Sequence, residues 1–330
     1  MKRVLGRSGL EVSALGMGCW AIGGPWDMSG SPAGWGKADD DESIAALHAA
    51  FDQGITFYDT AANYGAGHSE RIVGRAFADR RDKVVLATKF GYQVDEAAKV
   101  ITPYDGDEER GDVLGHLRAD CEASLQRLGT DYIDLYQLHV NRYDPELAAG
   151  VRDGLEELVG EGKIRFYAWS TDFPERLRVF AQGKHCAAVQ VNMSVIHDAP
   201  AILAVCDEFD LAAINRGPLA MGMLTGKYGR DATWAKDDVR TLEWFQRDFF
   251  QKTLDNLPKI QDVLRSGGRT LAQGALAWLW GRSERTLPIP GIRTVGQAEE
   301  NAEAMRFGPL TPAQMAEIER LLGRAEPEST

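Results

Sequence analysis

Ile133-Asp134-Leu135-Tyr136-Gln137-Leu138-His139 is a short apolar run that ends on an imidazole, and the stretches on either side of it have a different period. Ahead of it, residues 112–128 carry apolar side chains at helical spacing and stop at Gly129; behind it, residues 145–161 do the same and stop at Gly162. A glycine in that place supplies the left-handed residue on which a helix ends. Residues 41–53 open with acidic side chains and stop before Gly54, and residues 174–181 stop near Gly183. Strand-like runs fall at 13–18, 56–59, 84–88, 133–138, 166–169, 188–192, 211–215 and 286–288. Strands that alternate with helices are expected to lie parallel under a helical cover. With no linker or shift in composition across residues 1–330, the expected fold is α/β: a single-domain (β/α)8 TIM barrel.

The ends of the chain extend this reading. Residues 2–5 and 10–12 flank Gly6-Arg7-Ser8-Gly9, an N-terminal β-hairpin placed to plug the barrel floor. After the seventh strand, residues 222–262 are too long and irregular for a normal connection, so a long loop acting as a lid is expected. The acidic end at 324–330 is expected to fray.

Composition excludes several functional classes. Hydrophobic residues make up 44% and charged residues 26%, which sets aside a disordered or collagen-like chain. Lys and Arg number 37 against 49 Asp and Glu, and the net charge of −12 disfavours nucleic acid and membrane surfaces as partners. Cys19, Cys121, Cys186 and Cys206 are scattered without zinc spacing, as expected of thiols in a reducing compartment. Glu11 and several glycines interrupt what would be a signal-peptide core, and the apolar run 271–280 is half a membrane span, so a cytoplasmic location is expected. His48, His68, His116, His185 and His197 form no metal-binding pattern, and no metal is expected. Gly16-Met17-Gly18-Cys19-Trp20-Ala21 fits a dinucleotide-binding fingerprint, but the glycines and prolines that follow leave no helix N-terminus for a pyrophosphate.

Chemistry gathers at strand ends. Asp59, Lys89 and His139 close three consecutive strands, and Tyr64 follows Asp59 by one short loop. The carboxyl ends of barrel strands meet in one mouth, so the four are expected to converge. Taken singly, each has a plain alternative as a cap, a rim charge, a half-buried histidine or a packed aromatic. Together they make an acid beside an oxyanion site. A neighbouring ammonium lowers a phenol's pKa, Asp59 would hold Lys89 as a charged pair, and a neutral His139 would donate to the same oxygen. Such a site suits hydride addition to a carbonyl group.

At this point the sequence resembles the aldo-keto reductase family. Phe57-Tyr58-Asp59-Thr60-Ala61-Ala62-Asn63-Tyr64-Gly65 with Gly67-His68-Ser69-Glu70 is similar to its first signature block, and Ala87-Thr88-Lys89-Phe90 and Tyr136-Gln137-Leu138-His139 to its lysine and histidine blocks. The resemblance implies a catalytic tetrad of Asp59, Tyr64, Lys89 and His139 with Tyr64 as acid/base, and NADP(H) bound without a Rossmann fold. It implies Ser170 and Gln190 at the nicotinamide carboxamide; Thr171 stands where relatives usually carry Asn. Arg216, Gly217, Pro218, Leu219, Gly222, Leu224 and Lys227 would cradle the pyrophosphate. Gly291, Arg293, Gln297, Glu300 and Asn301 would meet the adenosine end, with Arg293 on a 2′-phosphate; Thr294 stands where Lys or Ser is common. For Trp20, Trp26 and Trp35 two readings stand, a substrate-pocket wall or the packing of a long loop.

The expected function is reversible NADPH-dependent reduction of an aldehyde or ketone, sugar-type carbonyls among the candidates, as in carbonyl reductases and NADP-dependent alcohol dehydrogenases. A nicotinamide-nucleotide-sensing regulatory subunit with slow turnover is the alternative. A metal-dependent barrel hydrolase using Asp59 and His139 is a third reading and would need a divalent ion.

Overall fold

The computed structural model describes residues 1–324, so most of the expected fraying at 324–330 lies outside the described residues. In chain order the strands are β1 (Lys2–Val4), β2 (Glu11–Ser13), β3 (Gly16–Gly18), β4 (Asp27–Met28), β5 (Ser31–Pro32), β6 (Phe57–Asp59), β7 (Val85–Phe90), β8 (Gln93–Asp95), β9 (Val100–Thr102), β10 (Ile133–Leu138), β11 (Ile164–Ser170), β12 (Cys186–Asn192), β13 (Ala212–Arg216) and β14 (Thr286–Pro288). The helices are α1 (Asp40–Asp52), α2 (His68–Phe77), α3 (Val113–Leu128), α4 (Pro145–Gly160), α5 (Pro174–Ala181), α6 (Pro200–Phe209), α7 (Glu243–Phe245), α8 (Lys252–Arg265), α9 (Leu271–Arg282), α10 (Val295–Phe307) and α11 (Pro312–Leu321).

Eight of the strands form one parallel sheet in the order β14-β13-β12-β11-β10-β7-β6-β3, and a bridge between Gly18 and Gly291 brings its two edges together. The result is the (β/α)8 barrel, with helices between successive strands. Helix boundaries follow local chemistry. The Asp112 side chain accepts from the Gly115 amide at the start of α3, and Gly129 ends that helix at φ 64°.

The β1–β2 hairpin closes the floor. Leu5 and Val12 pack with Phe57, Ala87, Leu135, Ala168 and Ala188 in the apolar layer inside the barrel. Arg7 anchors the turn, donating to the backbone carbonyls of Cys186, Ala181 and Gly183.

Three features depart from expectation. The first barrel strand begins at Gly16 rather than 13, because Ser13 pairs with Lys2 in the hairpin and its hydroxyl turns back onto the Leu15 carbonyl. The segment 222–262 is a loop only in its first half. From Glu243 the chain is helical, running through a π-helical stretch, Gln246–Gln251, into α8, since Phe245, Phe249, Ile260 and Leu264 supply an apolar face at helical spacing. A small rim sheet in the order β5-β4-β9-β8 also joins the loop after β3 to the loop after β7.

Candidate active site

Side chains alternate along a strand, so residues two apart share a face. Phe57, Ala87, Leu135, Ala168 and Ala188 fill the inside of the barrel; the residue two positions on from each is Asp59, Lys89, Gln137, Ser170 and Gln190. A polar layer therefore sits directly above the apolar one, at the carboxyl end of the strands.

Lys89 is the hub. It is fully buried, and its Nζ donates to Asp59 Oδ1 at 2.5 Å, to the Thr60 carbonyl at 2.8 Å and to Tyr64 Oη at 3.1 Å. All three ammonium hydrogens have partners. Asp59 Oδ2 accepts from Gln137 Nε2 and Gln190 Nε2, each at 2.8 Å. The half-buried His139 ring sets its edge against Tyr64, centroids 5.8 Å apart, and against Tyr92 at 5.9 Å. The structure thus brings Asp59, Tyr64, Lys89 and His139 together.

Electrostatics separate their protonation states. Burial works against the Lys89 charge, but Asp59 and Tyr64 outweigh it and raise its pKa. Burial, and then the Lys89 and Arg216 cations, drive the His139 pKa well below its usual value, so the imidazole is neutral and can donate one hydrogen bond. Tyr64 differs from expectation. Lys89 does pull its pKa down, but burial outweighs that pull, with Asp59 acting in the same direction as burial, and the phenol stays protonated over the neutral range. The ammonium is already paired with Asp59, so only part of its charge reaches the phenol.

The loop carrying Tyr64 is held from below. Ser69 donates to the Cys19 carbonyl and accepts from Thr60, while Glu70, completely buried, accepts from Thr88 at 2.6 Å and pairs with Arg127. The Thr88 bond ties α2 to β7 directly beside Lys89, and the Arg127 pair ties α2 to α3.

The residues read as cofactor contacts stand at or beyond the carboxyl ends of β11 to β14. Ser170 and Gln190 lie in register on adjacent strands. Arg216 ends β13 and pairs with Asp172, which also accepts from the Asn192 amide and from Asn141. Thr171 is occupied with the Asn141 carbonyl. Gly217 and Gly222 have φ of 63° and 92°; between them Ala220 and Met221 sit at 47° and 53°, a conformation side chains resist. Pro218, Leu219 and Leu224 are buried in this turn, and Lys227 is exposed beyond it. Gly291 is exposed past β14 with open space where a side chain would stand. Arg293 donates to the carbonyls of Trp35 and Lys37, and its amide is bonded by Gln297. Thr294 caps α10, on which Gln297, Glu300 and the buried Asn301 lie.

Trp20 stacks on Tyr64 at 5.8 Å and meets Trp35 edge-on at 5.4 Å, with its indole N–H on the Ala33 carbonyl. Trp26 is buried. Trp20 and Trp35 therefore stand at the mouth, and Trp26 packs the loop behind them.

The Aldo/keto reductase family model matches residues 14–322. The chain belongs to the aldo/keto reductase family. It is 31% identical over 324 residues to an aldo-keto reductase of Schizosaccharomyces pombe, yakc, whose name specifies NADP(+); the match covers 96% of this chain and 90% of that one. It is likewise 31% identical to the aldo-keto reductase YhdN of Bacillus subtilis, over 90% of this chain and 86% of the relative. Among solved structures, a glycerol dehydrogenase of Gluconobacter oxydans superposes with a TM-score of 0.79 at 30% identity, covering 97% and 94% of the two chains. An aldo-keto reductase of Klebsiella pneumoniae in complex with NADPH superposes with a TM-score of 0.68 at 28% identity, covering 100% and 98%.

Several members of the site were quoted in sequence without a role. Gln137 was one, although its place two residues before His139 puts it on the same inward face. Glu70 was another, and Asp172 lies just past Thr171 outside every motif; no pattern of spacing marks either, because their partners Arg127 and Arg216 lie far away in the chain.

Proposed function

We propose that this reductase catalyses the reversible NADPH-dependent reduction of an aldehyde or ketone to an alcohol, with Tyr64 as general acid and base. One observation carries the reading: a protonated phenol, 3.1 Å from a fully buried ammonium, shares the barrel mouth with a neutral imidazole. NADPH, when bound, supplies the hydride.

Tyr64 holds the proton that the carbonyl oxygen gains, and in the reverse direction its phenolate recovers that proton from the alcohol. Lys89 stabilises the phenolate left behind, at the distance where a charge-assisted hydrogen bond is strong. His139, neutral, donates to the same carbonyl oxygen and aims the substrate. Trp20 and Trp35 wall the pocket and exclude water from one side.

The mouth fits the cofactor. The turn from Gly217 to Gly222 holds four residues at positive φ, and backbone strain of this kind clusters at ligand sites. Arg216 supplies charge beside it. Ser170 and Gln190 lie side by side on adjacent strands, as recognition of a carboxamide would need, and Arg293 just ahead of α10 with Gln297, Glu300 and Asn301 on it would meet the adenosine end. The setting that suits four unpaired, buried cysteines is the cytoplasm. Among the described residues, no helix is long and apolar enough to cross a membrane.

The test is NADPH consumption across sugar, aromatic and short-chain carbonyls, with Tyr64→Phe beside the parent. The variant loses only a hydroxyl, so nucleotide binding should stay within about twofold while turnover falls roughly a hundredfold or more. Stoichiometric cofactor retention without turnover by the parent points instead to a nucleotide sensor. Turnover of the variant within threefold of the parent removes Tyr64 as the acid.

A further inference from the structure

Asp59 gathers more donors than its pairing with Lys89 requires. Oδ1 takes the ammonium at 2.5 Å, and Oδ2 takes two amides, from Gln137 and from Gln190, each at 2.8 Å. A carboxylate can only accept, so both amides must turn nitrogen inward. Gln190 Nε2 has a second hydrogen, and this goes to Gln137 Oε1 at 3.2 Å. Both N–H groups of Gln190 are then used. Its Oε1, which no hydrogen bond among the described residues reaches, is left as an acceptor. Asp59, Gln137 and Gln190 are each no more than 2% exposed, so bulk water does not compete for these bonds.

We propose that Gln137 is a positioning residue which, by donating to Asp59 and accepting from Gln190, locks the Gln190 amide as an acceptor for an N–H of the nicotinamide carboxamide. This rests on the reading of Ser170 and Gln190 as carboxamide partners and goes beyond it by naming the residue that sets the direction of recognition. The Ser170 hydroxyl can both donate and accept, so it imposes no direction by itself. With Gln137 in place, the site favours a nicotinamide that carries N–H at this position. With Gln137 gone, a single bond to Asp59 restrains the Gln190 amide, which can then tilt to offer its released N–H to a carbonyl oxygen as well.

The experiment compares binding of NADP+ with that of its 3-acetylpyridine analogue, in which a methyl replaces the amide NH2. Fluorescence quenching is measured on the full-length parent, Gln137→Met and Gln137→Glu. The parent should bind NADP+ about three- to tenfold more tightly, the scale of one neutral hydrogen bond. Gln137→Met should bring the ratio under twofold. Gln137→Glu keeps an acceptor for the Gln190 N–H in either protonation state, so its ratio should stay within about twofold of the parental one. A purely structural role would not separate the two variants, and Gln137→Ala, measured alongside and expected to behave as Gln137→Met, carries the comparison if that variant does not fold. A parent that binds both nucleotides alike, a Gln137→Met that keeps the parental ratio, or a Gln137→Glu that loses it overturns the proposal while leaving NADP+ binding intact. A parent that binds neither nucleotide overturns the cofactor reading, and the proposal with it.

Discussion

Replacing Lys89 by Met deletes the charge on which the site is built, and its cost can be worked from the distances. At an effective dielectric near 20, an ammonium 3.1 Å from Tyr64 Oη stabilises a full phenolate charge by about 5 kcal/mol. Asp59 opposes this from, at most, the two bond lengths laid end to end, with about 3 kcal/mol of repulsion. The net, about 2 kcal/mol, corresponds to roughly thirtyfold in rate. In Lys89→Met the kcat for carbonyl reduction should therefore fall by up to about thirtyfold, measured as NADPH consumption at 340 nm. Alcohol oxidation, which needs the phenolate, should move its pH dependence upward, since the largest downward pull on the Tyr64 pKa is gone. The variant also strands Asp59, at 2% exposure, without its cation, a loss of about 3–5 kcal/mol in stability by analogy with other broken buried pairs. The double variant Lys89→Met/Asp59→Asn separates the two effects: stability should return in part, the rate should not. If Lys89→Met keeps kcat within threefold of the parent and an unmoved pH profile, the coupling of Lys89 to Tyr64 is refuted.

Three further outcomes are expected. Arg293→Ala should weaken NADPH several times more than NADH in fluorescence titrations, with the gap narrowing in salt; because Arg293 also holds the Trp35 and Lys37 carbonyls, protease cleavage of that rim loop should quicken. Equal losses for both nucleotides would reduce Arg293 to this structural role. Gly6→Ala should cost upwards of about 3 kcal/mol in urea melts, because Gly6 has φ +49° and a Cβ there would lie 2.4 Å from the Ala187 carbonyl oxygen; a loss under about 1 kcal/mol would mean the hairpin does not seal the floor. For His139 the folded pKa lies below the unfolded one, so between those values the unfolded chain binds more protons and stability falls as pH falls. From about pH 6.5 downward the parent should lose up to about 1.4 kcal/mol per pH unit more than His139→Gln, and parallel thermal-melt curves for the two would contradict the neutral imidazole.

The barrel and the place of its mouth are local facts, which is why sequence determines them. Gly129 ends α3 because of its own backbone freedom, and Asp59, Lys89 and His139 share a mouth because each stands within one residue of the carboxyl end of a strand in a parallel sheet. Period and position suffice for such features. The rim sheet did not follow from sequence, because strands as short as Asp27–Met28 and Ser31–Pro32 carry no alternation to read. Nor did the helix that begins at Glu243, whose charged and aromatic mixture acquires an inner face only once a core lies beneath Phe245 and Ile260.

Tertiary structure alone decided how the mouth is wired. The two amides on Asp59 come from strands far apart in the chain, and Arg293 reaches back to the loop at Trp35. Such pairings depend on which strands become neighbours and how their registers stagger. The protonation of Tyr64 belongs to the same class. Sequence shows the lysine that lowers its pKa, but only the packed barrel shows that burial and the paired Asp59 outweigh that lysine, because desolvation is a property of everything around a group rather than of its neighbours in the chain.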